Sequence, residues 1–179
     1  GSVYADMDNL AAKIPAGSEG VLFLPYMAGE RSPIWNPYAK GVFYGLDFTK
    51  TRAHFYRAAM EGVAYSLRHN LEIAAQAGAP VTQLHAMGGA ANSKLWTQIK
   101  SDVTGLPIRS AKSDMATTLG AAMLAGVATG VYKDYAQAVQ QTVNMERSYV
   151  PNEENSSVYE RGFCDYLKLY SQLETLMHG

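Results

Sequence analysis

Two adjacent glycines, Gly88 and Gly89, lie in the stretch "HAMGGAANSKLW", between a strand-like run and an amphipathic helix. Glycine has no Cβ, so a ring or a phosphate can come close to the main chain at such a point. The following helix would present unpaired N–H groups and the positive end of its dipole to the same place. Asn92 or Ser93 would add a side-chain oxygen, either to cap that helix or to hydrogen-bond a ligand. The chemistry on offer is nucleotide or phosphate binding. A tight strand-to-helix turn capped by Asn92 or Ser93 explains the same residues, because neither a GxxxxGK[ST] phosphate loop nor GxGxxG is present. The local residues leave both readings open.

Other residues with chemical potential are scattered. Glu30 and Arg31 sit in "MAGERSPIWNPYAKG", Met27 to Gly41, a turn-rich stretch with prolines at 33 and 37. Loops of this length that carry aromatic residues tend to be functional. His54 and His85 have no ligand partners at metal spacing, so no metal site is expected. Cys164 is the single cysteine, which rules out an internal disulfide framework and fits a reducing, cytoplasmic compartment. Its position in an amphipathic C-terminal segment predicts a packing role.

The elements that must position these residues can be read in outline. Tyr4 to Lys13 reads as a short helix. "GVLFLPY", Gly20 to Tyr26, is an apolar run of strand length, and "VFYGLDF", Val42 to Phe48, reads as a second extended segment. Arg52 to Ala77 reads as one long helix, with Phe55, Ala59, Val63, Leu67 and Leu71 on one stripe. Thr49 or Thr51 would cap its start, and Gly78 with Pro80 would stop it. "VTQLHAMGG" reads as a strand, Asn92 to Gly105 as a helix, "LPIRS" as a strand, and "SDMATTLGAAMLAGVATG" and "DYAQAVQQTV" as helices. Ala122, Gly126 and Gly130 fall four apart, a stripe small enough for another helix to come close. Asn152 to Met177 is largely helical in pattern, with Tyr159, Phe163, Tyr166, Leu167, Tyr170 and Leu173 at helical spacing. Strands alternating with helices predict an α/β fold.

The bulk properties narrow the function classes. The chain has 179 residues, 47% hydrophobic and 17% charged, so it can form one domain, or a large piece of a bigger protein, and is too apolar for disorder. A formal charge of −1 gives no basic footprint for nucleic acid. No apolar run reaches the length of a membrane span, and none at the start has the pattern of a signal peptide.

Together these stretches resemble the C-terminal half of the FGGY family of carbohydrate kinases. "GVFYGLDFTKTRAHFYRAAMEG" looks like that family's C-terminal signature: Gly41, Phe43, Gly45 and Leu46, then His54, Phe55, Ala58, Ala59, Met60 and Glu61. "GERSPIWNPYAKG" is similar to the preceding loop of its xylulose and gluconate kinase members, where aspartate is common at the position of Asn36. "MGGAANSKLWTQIKSDVTGLPI" looks like the family's adenosine-binding motif, and "TTLGAAMLAG" like its interdomain connecting helix. The resemblance implies an actin-like, ribonuclease-H-like domain, with a mixed sheet flanked by helices. It also implies that residues 1–179 are the nucleotide-binding C-terminal domain of an ATP-dependent kinase acting on a sugar or polyol. Xylulose kinase is the first reading; gluconate or glycerol kinase, or a non-catalytic actin-like module, are the alternatives.

By the same resemblance, Gly88 and Gly89 would pass under the adenosine of ATP, and Asn92 and Ser93 would contact its base or ribose. Gln98 is a further candidate. Glu30 and Arg31 would lie in a loop facing the other domain, with an ion pair or a helix cap as the structural alternative. The catalytic aspartate is expected in an N-terminal sugar-binding domain outside this chain, so no catalytic residue is assigned and the chain alone is expected to be inactive. Mg²⁺ would arrive with the nucleotide. A phosphate loop is expected ahead of Gly20, and the chain is read as beginning after it. Glu61, four residues after Arg57, is expected to make structural hydrogen bonds. Trp35 and Trp96 are expected to pack. The implied partners are the sugar, the N-terminal domain and, as an option, a second copy in a homodimer.

Overall fold

The computed structural model describes residues 3–111 and 116–177. The order is α1 (Val3–Ala11), β1 (Leu22–Pro25), β2 (Gly41–Tyr44), α2 (Arg52–Gln76), β3 (Leu84–Ala86), α3 (Lys94–Thr104), β4 (Ile108–Ala111), α4 (Ala116–Ala128), α5 (Tyr135–Thr142), β5 (Met145–Tyr149) and α6 (Ser156–Met177). Residues 113–115, read from sequence as the start of the small-residue helix, lie outside the described residues. Among the described residues, no helix is long and apolar enough to cross a membrane.

Two sheets result. β1 and β2 form an antiparallel pair, with Leu22 opposite Tyr44 and Pro25 opposite Gly41. β3 runs parallel to β4, and β4 antiparallel to β5, so the three-stranded sheet is mixed. The parallel pair needs a crossover connection, and α3 provides it. β5 has no counterpart among the strands expected from sequence. "MERSY" carries adjacent charges and no apolar alternation, so pairing with β4 is what makes it a strand.

α2 is the central element. Its start is fixed by Thr51, whose backbone N–H donates to Nδ1 of His54 at 3.1 Å. Its end is a Schellman turn: Ala79 N–H donates to the Ala74 carbonyl, and Gly78 N–H to that of Ala75. Gly78 takes φ +85°, which glycine adopts without strain. The face buried most deeply is not the predicted stripe. Arg57, Ala58, Glu61, Gly62, Ala64 and Tyr65 are buried, whereas Phe55, Ala59, Val63, Leu67 and Leu71 are half-buried. The cause is that α2 lies between β1 and α3, so apolar residues on its flanks are shared by two contacts. An ion pair fills the middle.

α6 closes the core as expected. Tyr159, Phe163, Tyr166 and Tyr170 are buried with Leu24, Tyr26, Tyr65, Ile99 and Val103, and Leu167 and Leu173 pack at the edge. The phenols of Tyr26 and Tyr166 share a hydrogen bond of 2.6 Å. Burial is the main cause that pushes the Tyr166 pKa up to about 12. Cys164 is exposed, against the expected packing role. It follows Phe163 by one residue, which turns it about 100° from the buried face.

The stripe on α4 also departs from expectation. The close neighbour at Gly126 is the Tyr132 ring, where an added Cβ would come within 2.6 Å of Cδ2. A Cβ at Gly120 or Gly130 would meet nothing within 4 Å. A ring, and not a helix, occupies the notch at Gly126. α4 packs chiefly on α5, and Leu124, Val131, Tyr135 and Val139 remain exposed.

Candidate functional site

β3 delivers the chain through Met87 to Gly88, which takes φ +78° and ψ −176°. That conformation favours glycine for backbone reasons alone. Gly89 begins a 3₁₀ turn, Gly89–Asn92, closed by Ala91 N–H donating to the Gly88 carbonyl at 3.0 Å. Gly89 has no left-handed φ, and a Cβ built on it meets nothing within 4 Å. Neither local conformation nor packing within the chain therefore explains the missing side chain there.

Ser93 caps α3. Its Oγ accepts the Trp96 N–H at 3.0 Å, and its carbonyl accepts the Thr97 hydroxyl at 2.9 Å. The cap occupies the oxygen as acceptor and leaves its O–H as the group that can face a ligand. Asn92 is exposed at the end of the 3₁₀ turn. The loop thus brings Gly88, Gly89, Asn92 and Ser93 together at the start of α3, where amide N–H groups and the helix dipole favour an electron-rich group. Positions 84–98 hold no carboxylate, so this segment itself offers no Asp or Glu for proton abstraction.

Gln98 does not join it. Its Nε2 donates to Asp102 Oδ1 and to the Val150 carbonyl, both at 2.7 Å. Asp102 also accepts from Asn152 N–H and Asn155 Nδ2, so this cluster fixes the approach to α6. Trp96 packs as expected: its Nε1 donates to the Met60 carbonyl at 3.1 Å, tying α3 to α2. Lys100 lies with Nζ 4.0 Å from the Trp96 ring centre, and burial lowers its pKa.

Glu30 and Arg31 occupy a different place. With Ala28, Gly29, Trp35 and Pro37 they line an open concavity of about 370 Å³ that includes no residue of 88–93. Among the described residues Glu30 forms neither an ion pair nor a helix cap. Its Oε1 accepts the N–H groups of Arg31 and Ser32 at 2.7 and 3.1 Å, fixing its own turn. Trp35 is 80% exposed and does not pack, because the loop is anchored by other residues. Asn36 is buried, donating Nδ2 to Tyr170 and accepting the Tyr38 N–H at Oδ1. Asn70 and Ser32 hold the loop to α2 with two further bonds. The Asn-Pro pair at 36–37 was a readable turn signal for the first anchor. Nothing local marks Asn70, which sits inside a helix.

Glu61 has the expected structural role. Only 1% exposed, it accepts from Gly17 N–H, Ser18 Oγ, Arg57 Nε and Tyr159 OH at 2.7–3.2 Å. Burial opposes the Arg57 charge, yet Tyr159 and Glu61 beside it outweigh that and raise its pKa. The network joins the turn before β1 to α2 and α6. His54 serves the same region: with Nδ1 accepting from Thr51, its Nε2 is the donor to Glu19 at 3.2 Å. That hydrogen bond is the main cause holding the exposed Glu19 carboxyl below its ordinary pKa.

Comparison with known proteins bears on this geometry. Xylulose kinase of Staphylococcus epidermidis is 34% identical over 173 residues, 97% of this chain and 35% of that protein. Gluconokinase of Bacillus subtilis is 34% identical over 172 residues, 96% of this chain and 33% of its own length. The solved structure of xylulose kinase from Rhodospirillum rubrum superposes with a TM-score of 0.85 at 32% identity, covering 98% of this chain and 35% of that one. The α/β architecture is accordingly the actin-like one, and the chain spans about a third of the length of these relatives. Residues 2–129 match the profile described as "FGGY family of carbohydrate kinases, C-terminal domain". The loop at Gly88, the capped α3 and the long α2 are thus parts of a shared framework, and this chain belongs to the FGGY family of carbohydrate kinases as a C-terminal domain.

Proposed function

We propose that this chain is the ATP-binding half of a carbohydrate kinase that transfers the γ-phosphoryl group of ATP to a sugar or polyol hydroxyl. The observation that carries the reading is Gly89, a glycine with open space where a side chain would stand and no backbone need to lack one. The adenosine would lie over Gly88 and Gly89, with the Asn92 amide and the Ser93 O–H as hydrogen-bonding groups toward the base or ribose. Helix α3 would contribute its N-terminal dipole.

The residue that deprotonates or positions the acceptor hydroxyl belongs, in this reading, to an N-terminal domain, and residues 1–179 alone are inactive. Mg²⁺ would come with the nucleotide phosphates. Among the described residues no group of three His, Cys, Asp or Glu side chains is placed to hold a metal, so no step is assigned to an ion held by this chain. Closure of the two domains would exclude water, which otherwise competes for the phosphoryl group. Glu30 and Arg31, in their separate concavity, face the other domain. Xylulose is the first acceptor to test and gluconate the second, since relatives named for each are 34% identical. The cytoplasm, where ATP is made available and a lone thiol stays reduced, is the setting that goes with this reading.

The test is calorimetric titration with ADP–Mg²⁺, comparing wild type with Gly89→Val. The fold tolerates the valine, because nothing stands near the added Cβ. Binding is expected to weaken at least about tenfold, or ~1.4 kcal/mol. Equal affinities would remove Gly89 from the site, and a full-length protein that binds no nucleotide would overturn the reading itself.

A further inference from the structure

The loop that lines the 370 Å³ concavity is fixed at its base and uncommitted at its rim. Glu30 and Asn36 bridge the base: the backbone N–H of each donates to the carbonyl of the other at 2.9 Å. Gly29 lets the two legs touch, since a Cβ there would stand 2.7 Å from the Pro37 carbonyl oxygen. Asn36 is 3% exposed and bonded to Tyr170, so the residue next to Trp35 is anchored in the core. Above this base the Trp35 indole lies in solvent. Its Nε1–H, the Arg31 guanidinium and Glu30 Oε2 make no hydrogen bond or ion pair among the described residues. A fixed loop therefore presents an apolar ring face, a forked donor and a free carboxylate oxygen to one concavity.

We propose that this concavity is a subsite for the sugar or polyol acceptor, with Trp35 as its platform and Arg31 and Glu30 as its hydrogen-bonding pair. The ligand class rests on the carbohydrate-kinase reading above; the groups that would hold it are those of the loop. Each has a counterpart in a short polyol. The C–H face of the carbon chain packs on the indole. A hydroxyl is both acceptor and donor, so one accepts from the Arg31 guanidinium while it or its neighbour donates to Glu30 Oε2. The two charges at the rim are opposite in sign and suit a neutral ligand. The size also favours a small molecule over a protein segment, since about 370 Å³ lies at the low end of the roughly 300–1,000 Å³ of small-molecule sites. Residues of a single loop, 28–37, line it.

The test uses the two tryptophans of the chain, which give two indole N–H signals in a ¹H–¹⁵N correlation spectrum. The 179-residue chain is titrated with D-xylulose and, separately, with xylitol, without nucleotide. The Trp35 signal is expected to move and saturate. The Trp96 signal, held by the Met60 carbonyl, should stay still and report that each variant is folded. Arg31→Gln should weaken the binding at least about tenfold, the loss expected of a hydrogen bond to a charged donor. A Trp35 signal that both ligands leave unmoved, or an Arg31→Gln variant that binds as tightly as wild type, would overturn the subsite. So would a Trp35 ring that acrylamide cannot quench in the sugar-free full-length protein, because another part of the protein would then cover it. No nucleotide enters these titrations, so their failure is distinct from a failure of the ADP–Mg²⁺ titration that tests the kinase reading.

Discussion

A carboxylate and a guanidinium, Glu61 and Arg57, are buried side by side, and both oxygens of the carboxylate are occupied. Four donors reach Glu61, and Arg57 Nη2 also donates to Tyr159 at 2.7 Å. Removing one charge leaves the other uncompensated in a low-dielectric interior, which costs about 3–5 kcal/mol. Glu61→Gln should therefore lower stability by that amount in urea denaturation, and a loss below about 1 kcal/mol would contradict the network. At this scale the sequence was informative where spacing was local. Glu61 and Arg57 are four apart on a helix, so their bond was readable. Ser18 and Tyr159 were not, because they reach Glu61 from 43 and 98 residues away. Trp35 misled because tryptophan usually packs. Here Asn36 takes the buried position beside it.

Elements were legible where periodicity was strong and unreadable where pairing decides. α6 matched its pattern closely; α2 matched in extent but not in its most buried face, and the glycine that ends it sat where a Schellman turn needs it. β5 was invisible because its sequence has no strand period of its own. The small-residue stripe of α4 was seen, but its occupant was misjudged: an aromatic ring from the following turn fills the space at Gly126. Gly126→Val should still destabilise by roughly 1–3 kcal/mol, since Tyr132 must move aside. Thermal unfolding in a Tyr132→Ala background separates the causes. The penalty should shrink there, and an undiminished penalty would place the conflict elsewhere.

On the scale of the molecule, the α4–α5 hairpin leaves Leu124, Val131, Tyr135 and Val139 exposed. In the two-domain reading, the remaining two-thirds of the kinase covers it. Amide hydrogen exchange across 119–140 should then be slower in the full-length protein than in this chain, and equal rates would argue against that cover. The glycine loop at 88–89 was legible as a strand-to-helix turn, while its separation from Glu30 and Arg31 required the fold. One further property follows from the outward turn of Cys164. With a single thiol per molecule, and that thiol in solvent, a maleimide dye attaches at one defined point without prior mutagenesis.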